Sequence, residues 1–265
     1  MTGAGGSDPR AKAKPKPKPN GEEASAPACP TCGKPPAVCV CDRVRPLASR
    51  TRVVILQHPR EEDVALGTAT LVTRSLPRAT IVVGLSWPSL EAVLGEEGID
   101  RARWGVVFAQ KLPDPLPPAV VGRPAIVVDR HGEVVLEPSL DGIVVLDGTW
   151  SQAKTLWWRN PWLLKLGRAV LHPREPGIYG KLRKEPRREA VSSLEAVAEV
   201  LVANGEPEAV RDGLRRVFRT MVQRARDARR EAEQRRPARG QDAGADEALD
   251  ADAPEGDEPE GDPPV

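Results

Sequence analysis

Two short stretches concentrate the residues able to do chemistry. All four cysteines of the 265-residue chain fall in Cys29-Pro-Thr-Cys32 and Cys39-Val-Cys41. A turn brings the first pair together, and in an extended segment positions i and i+2 point to one side, so four thiolates can surround one tetrahedral zinc. Other uses of such an array are a thioredoxin-type redox pair or disulfides. A redox motif stands beside a βαβ pattern with its own helix, whereas these cysteines lie in a Gly/Pro-rich knuckle. The expectation is therefore a structural zinc, since four protein ligands leave no position open for substrate.

The second stretch is Gly142-Ile-Val-Val-Leu-Asp147-Gly148-Thr149-Trp150-Ser-Gln152-Ala-Lys154. An apolar run ends at a carboxylate, Gly148 permits a tight turn, and Thr149 is placed to cap a helix. In open parallel sheets ligands gather at the carboxyl ends of strands, so Asp147 stands where chemistry is expected. Position alone fits equally a carboxylate that only stabilises the turn or the helix start. Trp150 reads either as core packing or as a surface on which a base stacks.

Positioning these residues requires alternating strands and helices, the pattern of an α/β fold with a mostly parallel sheet and flanking helices. Strands are predicted at Arg52–Leu56, Thr80–Leu85, Gly105–Ala109, Ala125–Val128, Gly142–Leu146 and Ala169–His172. Helices are predicted near Val64–Ser75, Ser89–Glu96, Trp150–Arg159, Ser193–Ala203 and from Pro207 to about Arg235. Thr149 with Gln152, and Ser192 with Glu195, match the capping box.

The net charge of +1 sums segments of opposite sign. Residues 1–28, with Lys14-Pro-Lys-Pro-Lys-Pro19, carry almost nothing apolar to bury and read as a disordered basic arm; residues 241–265 read as a disordered acidic tail. Between them lie a small knuckle (29–46), a main domain (47–206) and a long C-terminal helix (207–240). That helix crowds Arg211, Arg215, Arg216, Arg219, Arg224, Arg226, Arg229 and Arg230, which suits either a polyanion, with Arg215 and Arg219 as candidate RNA contacts, or a merely solvated face. No apolar stretch is long enough to cross a bilayer or serve as a signal peptide, so a cytoplasmic protein with no membrane partner is expected. No glycine-rich phosphate loop and no G-x-S-x-G elbow is present, which argues against nucleotide hydrolases and esterases.

Four blocks resemble, in order, those of the DTW-domain family: the cysteine array; Gln57-His58-Pro59-Arg60-Glu61, similar to Q-H-P-x-E; Asp147-Gly-Thr149-Trp150 with Gln152-Ala-Lys154; and Leu182-Arg183-Lys-Glu-Pro186 with Ser192-Ser193-Leu-Glu195-Ala196, similar to L-R-x-x-P and S-T-x-E-A. The resemblance covers about Cys29 to Leu201. It departs at Gly67-Thr68, where Asn-Thr is usual, at Val107-Phe-Ala-Gln110, where a Leu-Phe/Tyr-Pro-Ser-like run is common, and at Ser193, where Thr is usual. Tyr179 loosely matches a tyrosine that often precedes the L-R pair.

The resemblance implies a SPOUT-like, trefoil-knotted core and a tRNA-uridine aminocarboxypropyltransferase, which moves the 3-amino-3-carboxypropyl group of S-adenosylmethionine to N3 of a uridine. It implies Asp147 as general base or as ligand of the donor's ammonium, and His58 as a second candidate base. Gly148, Thr149, Trp150, Leu182, Arg183 and Ser193 are implied as the donor site, and Lys181 and Lys184 as RNA contacts. Its partner would be tRNA, with no obligate protein partner implied. Rival readings are a SPOUT-type RNA methyltransferase and a non-catalytic zinc-containing RNA-binding protein.

Overall fold

The computed structural model of the protein describes residues 27–108, 114–173, 175–182 and 191–235. The expected acidic tail, and the basic arm apart from residues 27 and 28, lie outside the described residues. Along the chain run β1 (Arg52–Gln57), α1 (Ala69–Ser75), β2 (Ala79–Val83), α2 (Leu90–Leu94), β3 (Trp104–Phe108), β4 (Ala125–Val128), β5 (Gly142–Asp147), α3 (Trp150–Arg159), β6 (Gly167–Leu171), α4 (Ser193–Ala203) and α5 (Glu208–Arg235). The six strands form one sheet in the order β2-β1-β5-β3-β6-β4. Every neighbouring pair is parallel except β4, which runs antiparallel on β6 at the edge. The α/β fold with a mostly parallel sheet is thus as the sequence implies. Among the described residues no helix is long and apolar enough to cross a membrane.

Helices cover both faces of the sheet, which is why the central strands are apolar without alternation. Val53, Ile55, Ile143 and Val145 point to the face packed by α1, α4 and α5. Val54, Leu56 and Val144 point to the other, packed by Leu90 of α2, by Trp157 of α3 and by Trp162, Leu163 and Leu166 after it. α5 belongs to this body: it buries Val210, Leu214, Val217, Phe218, Met221 and Val222 in the same cluster as α4 and the sheet. Much of its arginine is committed to ion pairs, with Arg215 on Glu199 and Glu175, Arg224 on Asp42, Arg229 on Glu233 and Arg230 on Asp227.

Two predicted helices are shorter than their sequence suggests: α2 spans Leu90–Leu94 rather than Ser89–Glu96, capped by Ser89 and ended by Gly95 in the left-handed region, and α1 lacks its first turn. α1 begins at Ala69 rather than near Val64 because the carbonyls of Ala65, Leu66 and Gly67 accept hydrogen bonds from side chains elsewhere in the chain. Those carbonyls bond to Lys34 and Tyr179 instead of to amides one turn ahead.

Two polar residues lock the edge of the sheet where β1 begins. Asn204, fully buried after α4, accepts from Leu140 N (2.8 Å) and donates to Leu140 O (3.0 Å) and Thr51 Oγ1 (2.9 Å). Glu206 Oε1 accepts from Arg50 N (3.0 Å), Thr51 N (2.9 Å) and Thr51 Oγ1 (2.6 Å). Burial alone would push the Glu206 carboxyl up, but the Thr51 and Arg50 bonds outweigh it and hold it below the usual glutamate range.

Two outcomes follow. Asn204→Ala leaves both Leu140 backbone groups unsatisfied and is expected to lower stability by about 2–4 kcal/mol in urea denaturation. Because the Glu206 carboxyl titrates lower in the folded than in the unfolded chain, its stabilisation is complete above the ordinary glutamate pKa and is lost as pH falls through the folded value. Glu206→Gln is therefore expected to be less stable than the parent at neutral pH, with the difference shrinking on acidification below about pH 4, as measured by denaturation across pH.

Candidate functional site

β1 and β5 end side by side, in a register that pairs Gln57 with Asp147. With a period of two, both side chains face the same way as Ile55 and Val145, toward the start of α4. There Asp147 is 7% exposed, and both its oxygens are engaged. Oδ2 accepts from Gln57 Nε2 at 2.8 Å, and Oδ1 accepts a short hydrogen bond from Ser193 Oγ. His58 continues the strand ladder, its amide donating to Asp147 O at 3.0 Å. Its Nδ1 accepts from Arg60 N at 3.2 Å, so the proton of the neutral ring sits on Nε2, and the ring's other edge is a donor.

The backbone around the carboxylate has little freedom. A Cβ on Gly148 would lie 2.8 Å from Gln152 Cβ and 3.0 Å from Gln152 Oε1, so glycine lets the turn close against the start of α3. Both predicted capping boxes form. Gln152 Oε1 accepts from Thr149 N at 2.6 Å, starting α3. Glu195 Oε2 accepts from Ser192 N at 3.1 Å and from Ser192 Oγ at 2.8 Å, starting α4. Ser193, the first residue of α4, thereby meets Asp147, so the carboxylate sits at the positive end of that helix dipole.

The loop between β1 and α1 is held from three directions. The Lys34 ammonium, on a residue only 4% exposed, donates to Ala65 O (3.0 Å) and Gly67 O (2.6 Å). The buried Tyr179 hydroxyl donates a short bond to Leu66 O, and its ring meets Phe218 edge-on at 4.8 Å. Leu194 N donates to Thr68 Oγ1 at 3.3 Å, tying the loop to α4. Burial pushes the Lys34 pKa down, countered by the charges at Cys32, Asp147 and Cys39. Lys34 and Gln57 are the residues whose roles the sequence did not reveal. Gln57 was signalled only by its place in the Q-H-P block, and Lys34 by nothing beyond its position in the knuckle.

The four cysteines converge. Their Sγ atoms all lie within 4.8 Å of one another, with Cys32–Cys39 at 3.7 Å and Cys29–Cys41 at 4.0 Å, and none is disulfide-bonded. The amides of Thr31 and Cys32 hold the Cys29 thiol down at about 6, whereas burial pushes Cys41 up. Arg224 of α5 fastens the knuckle to the body, donating to Cys39 O and pairing with Asp42 at 2.8 Å.

Asp147, His58, Gly148, Thr149, Trp150 and Ser193 thus meet where β1 and β5 end and α3 and α4 begin. Trp150 is 52% exposed, which removes the core-packing reading. Leu182 is half-buried against the α4–α5 core. Arg215 is 20% exposed and ion-paired, and Arg219 is exposed on α5. No hydrogen bond or ion pair among the described residues joins Leu182, Arg215 or Arg219 to the Asp147 group. Arg183, Lys184 and the side chain of Lys181 lie outside the described residues. An open depression of about 610 Å³ lined by Ala48, Arg50, Pro77 and Glu206 lies at the opposite edge of the sheet and contains none of these residues.

The DTW-domain family model matches residues 26–226 of this chain. tRNA-uridine aminocarboxypropyltransferase 2 of Mus musculus is 28% identical over 186 residues, covering 66% of this chain and 55% of that protein. The protein of the same name in Drosophila melanogaster is 26% identical over 197 residues, 68% of each chain. tRNA-uridine aminocarboxypropyltransferase A of Arabidopsis thaliana is 29% identical over 202 residues, covering 66% of this chain and 71% of that one. The match therefore spans only about half of the mouse relative. No solved structure matches the chain. The matched segment takes in the cysteine knuckle, the aspartate at the end of β5 and most of α5, and by that match the chain belongs to the DTW-domain family.

Proposed function

We propose that this protein is a tRNA-uridine aminocarboxypropyltransferase that takes the 3-amino-3-carboxypropyl group from S-adenosylmethionine. The observation that carries the reading is the buried Asp147 carboxylate at a strand end, oriented by Gln57 and Ser193. Each of its oxygens keeps a second lone pair for a substrate proton. In the proposed step Asp147 takes the N3 proton of the uracil imide, and the N3 electron pair bonds to the terminal carbon of the aminocarboxypropyl chain. The bond from that carbon to sulfur breaks with its electrons on sulfur, turning the sulfonium into neutral methylthioadenosine. The His58 Nε2–H is a donor for a uracil carbonyl, and Trp150 is a stacking surface beside the turn. Thr149, Gly148, Ser193, Leu182 and Arg183 belong to the donor's side, with Arg183 offering a guanidinium to its carboxylate. Lys181, Lys184 and Arg219 would meet RNA phosphates, and Arg215 would do so only by leaving its glutamates. The relatives' names support tRNA as substrate, and a SPOUT-like knotted core is inferred from the family resemblance.

The donor set of the knuckle fits zinc. A tetrahedral site with Zn–S bonds of about 2.3 Å has sulfurs about 3.8 Å apart, and the Cys32–Cys39 and Cys29–Cys41 pairs stand at 3.7 and 4.0 Å. Cys29, Cys32, Cys39 and Cys41 would fill all four positions, so the metal would stabilise the fold rather than touch substrate.

Two measurements test these readings. Asp147→Asn keeps the bonds to Ser193 and Gln57, since the Gln57 amide can flip to accept, but removes the basicity. Single-turnover transfer is then expected to fall about 10²–10⁴-fold while melting temperature and donor affinity are kept. Near-parental transfer would remove Asp147 as base, weakened donor affinity alone would make it the ammonium ligand, and adenosylhomocysteine in place of methylthioadenosine would make the enzyme a methyltransferase. For the knuckle, elemental analysis of purified protein is expected to give about one zinc per chain, falling on Cys39→Ser with a lower melting temperature. Folded, active protein without metal would refute it.

A further inference from the structure

α3 leaves an unusual surface uncovered. Of its ten residues only Leu156 is fully buried. Trp157 turns inward against the core, yet Trp150 and Trp158 are 52% and 57% exposed. The spacing 150, 154, 158 sets Trp150, Lys154 and Trp158 along one strip about 12 Å long, leading away from Asp147. Leu164 and Lys165 are exposed in the single turn that follows, Pro161–Lys165.

The electrostatics of the strip are one-signed. From Gly148 to Leu166 the sequence contains no Asp or Glu but has Lys154, Arg159 and Lys165, although acidic residues number 38 in the chain. Among the described residues Lys154, Arg159 and Lys165 form no ion pair. Both ends of the helix are anchored by hydrogen bonds. The Thr149–Gln152 box fixes one end, and buried Asn160 fixes the other by donating to Leu156 O (2.7 Å) and Leu85 O (3.1 Å) and accepting from Trp87 N (2.8 Å).

We propose that the outer face of α3 is a stacking platform for the single-stranded RNA that flanks the target uridine, with a base on Trp158 and phosphates on Lys154, Arg159 and Lys165. The proposal rests on the functional reading above. Indoles separated by cations suit this occupant, because every base offers a face to stack while its backbone demands positive charge. A protein interface would gather its apolar residues into one patch with charge kept to the rim.

The test is binding of unmodified bulk tRNA by the full-length protein across a salt series, with S-adenosylmethionine affinity and melting temperature measured on the same samples. Trp158→Ala is expected to weaken tRNA binding roughly 5- to 100-fold, and Trp158→Tyr to restore most of it. Lys154→Ala is expected to reduce the salt slope by about one. Donor affinity should not change in any of the three. If the parent binds tRNA and these variants bind it equally well, the platform is wrong and the functional reading stands. Self-association lost on Trp158→Ala without loss of tRNA binding would assign the face to a second copy of the chain. A parent protein that binds the donor but no tRNA would overturn the functional reading and the platform with it.

Discussion

The charge on Asp147 is the constraint around which the surrounding structure is arranged. A carboxylate only 7% exposed must find hydrogen-bond donors, and each donor comes from a different part of the chain. Gln57 supplies one from the end of β1, and Ser193 supplies the other from the start of α4. Meeting that demand fixes the register of two strands and the entry of a helix more than forty residues further on. The same contacts bring the Q-H-P, D-G-T-W and S-S-x-E-A segments to one place. The turn at Gly148 and the capping box at Ser192 then serve to hold that group still.

Much of this arrangement was legible in the sequence because its signals are local. Apolar β-branched runs marked all six strands, and the Thr149–Gln152 and Ser192–Glu195 spacings marked the starts of α3 and α4 to the residue. Asp147 stood out because a strand–turn–cap pattern leaves one residue at the sheet's carboxyl edge. What the sequence hid depends on contacts between distant segments. The shortened start of α1 is decided by Lys34 and Tyr179, which lie about 30 residues before and more than 100 after the carbonyls they hold. The role of α5 was hidden for a related reason: its arginines dominate its composition, while a narrower apolar stripe makes it part of the core.

The knuckle is built into the domain rather than appended to it. Lys34 reaches from between Cys32 and Cys39 into the loop after His58, and Arg224 returns from α5 to hold Cys39 and Asp42. Three parts of the chain that are far apart in sequence therefore share one set of polar contacts. Order in the cysteine knuckle and order in the loop beside Asp147 are thermodynamically linked, because the Lys34 ammonium, carried by the knuckle, keeps its carbonyl partners only while both segments stay in place.

α4 also acts as a gauge. Its first residue bonds to Asp147, the last residue of β5, and the asparagine that ends it bonds to Leu140, just ahead of that strand. Six extended residues of β5 measure about 20 Å and eleven helical residues of α4 about 16 Å, with the side chains of Ser193 and Asn204 spanning the difference. One residue added within α4 would rotate Asn204 by about 100° relative to Ser193, so only one end could stay attached. The number of residues in α4 is therefore set by the strand beside it. Its outer face can vary in composition, but its length cannot change unless β5 changes with it.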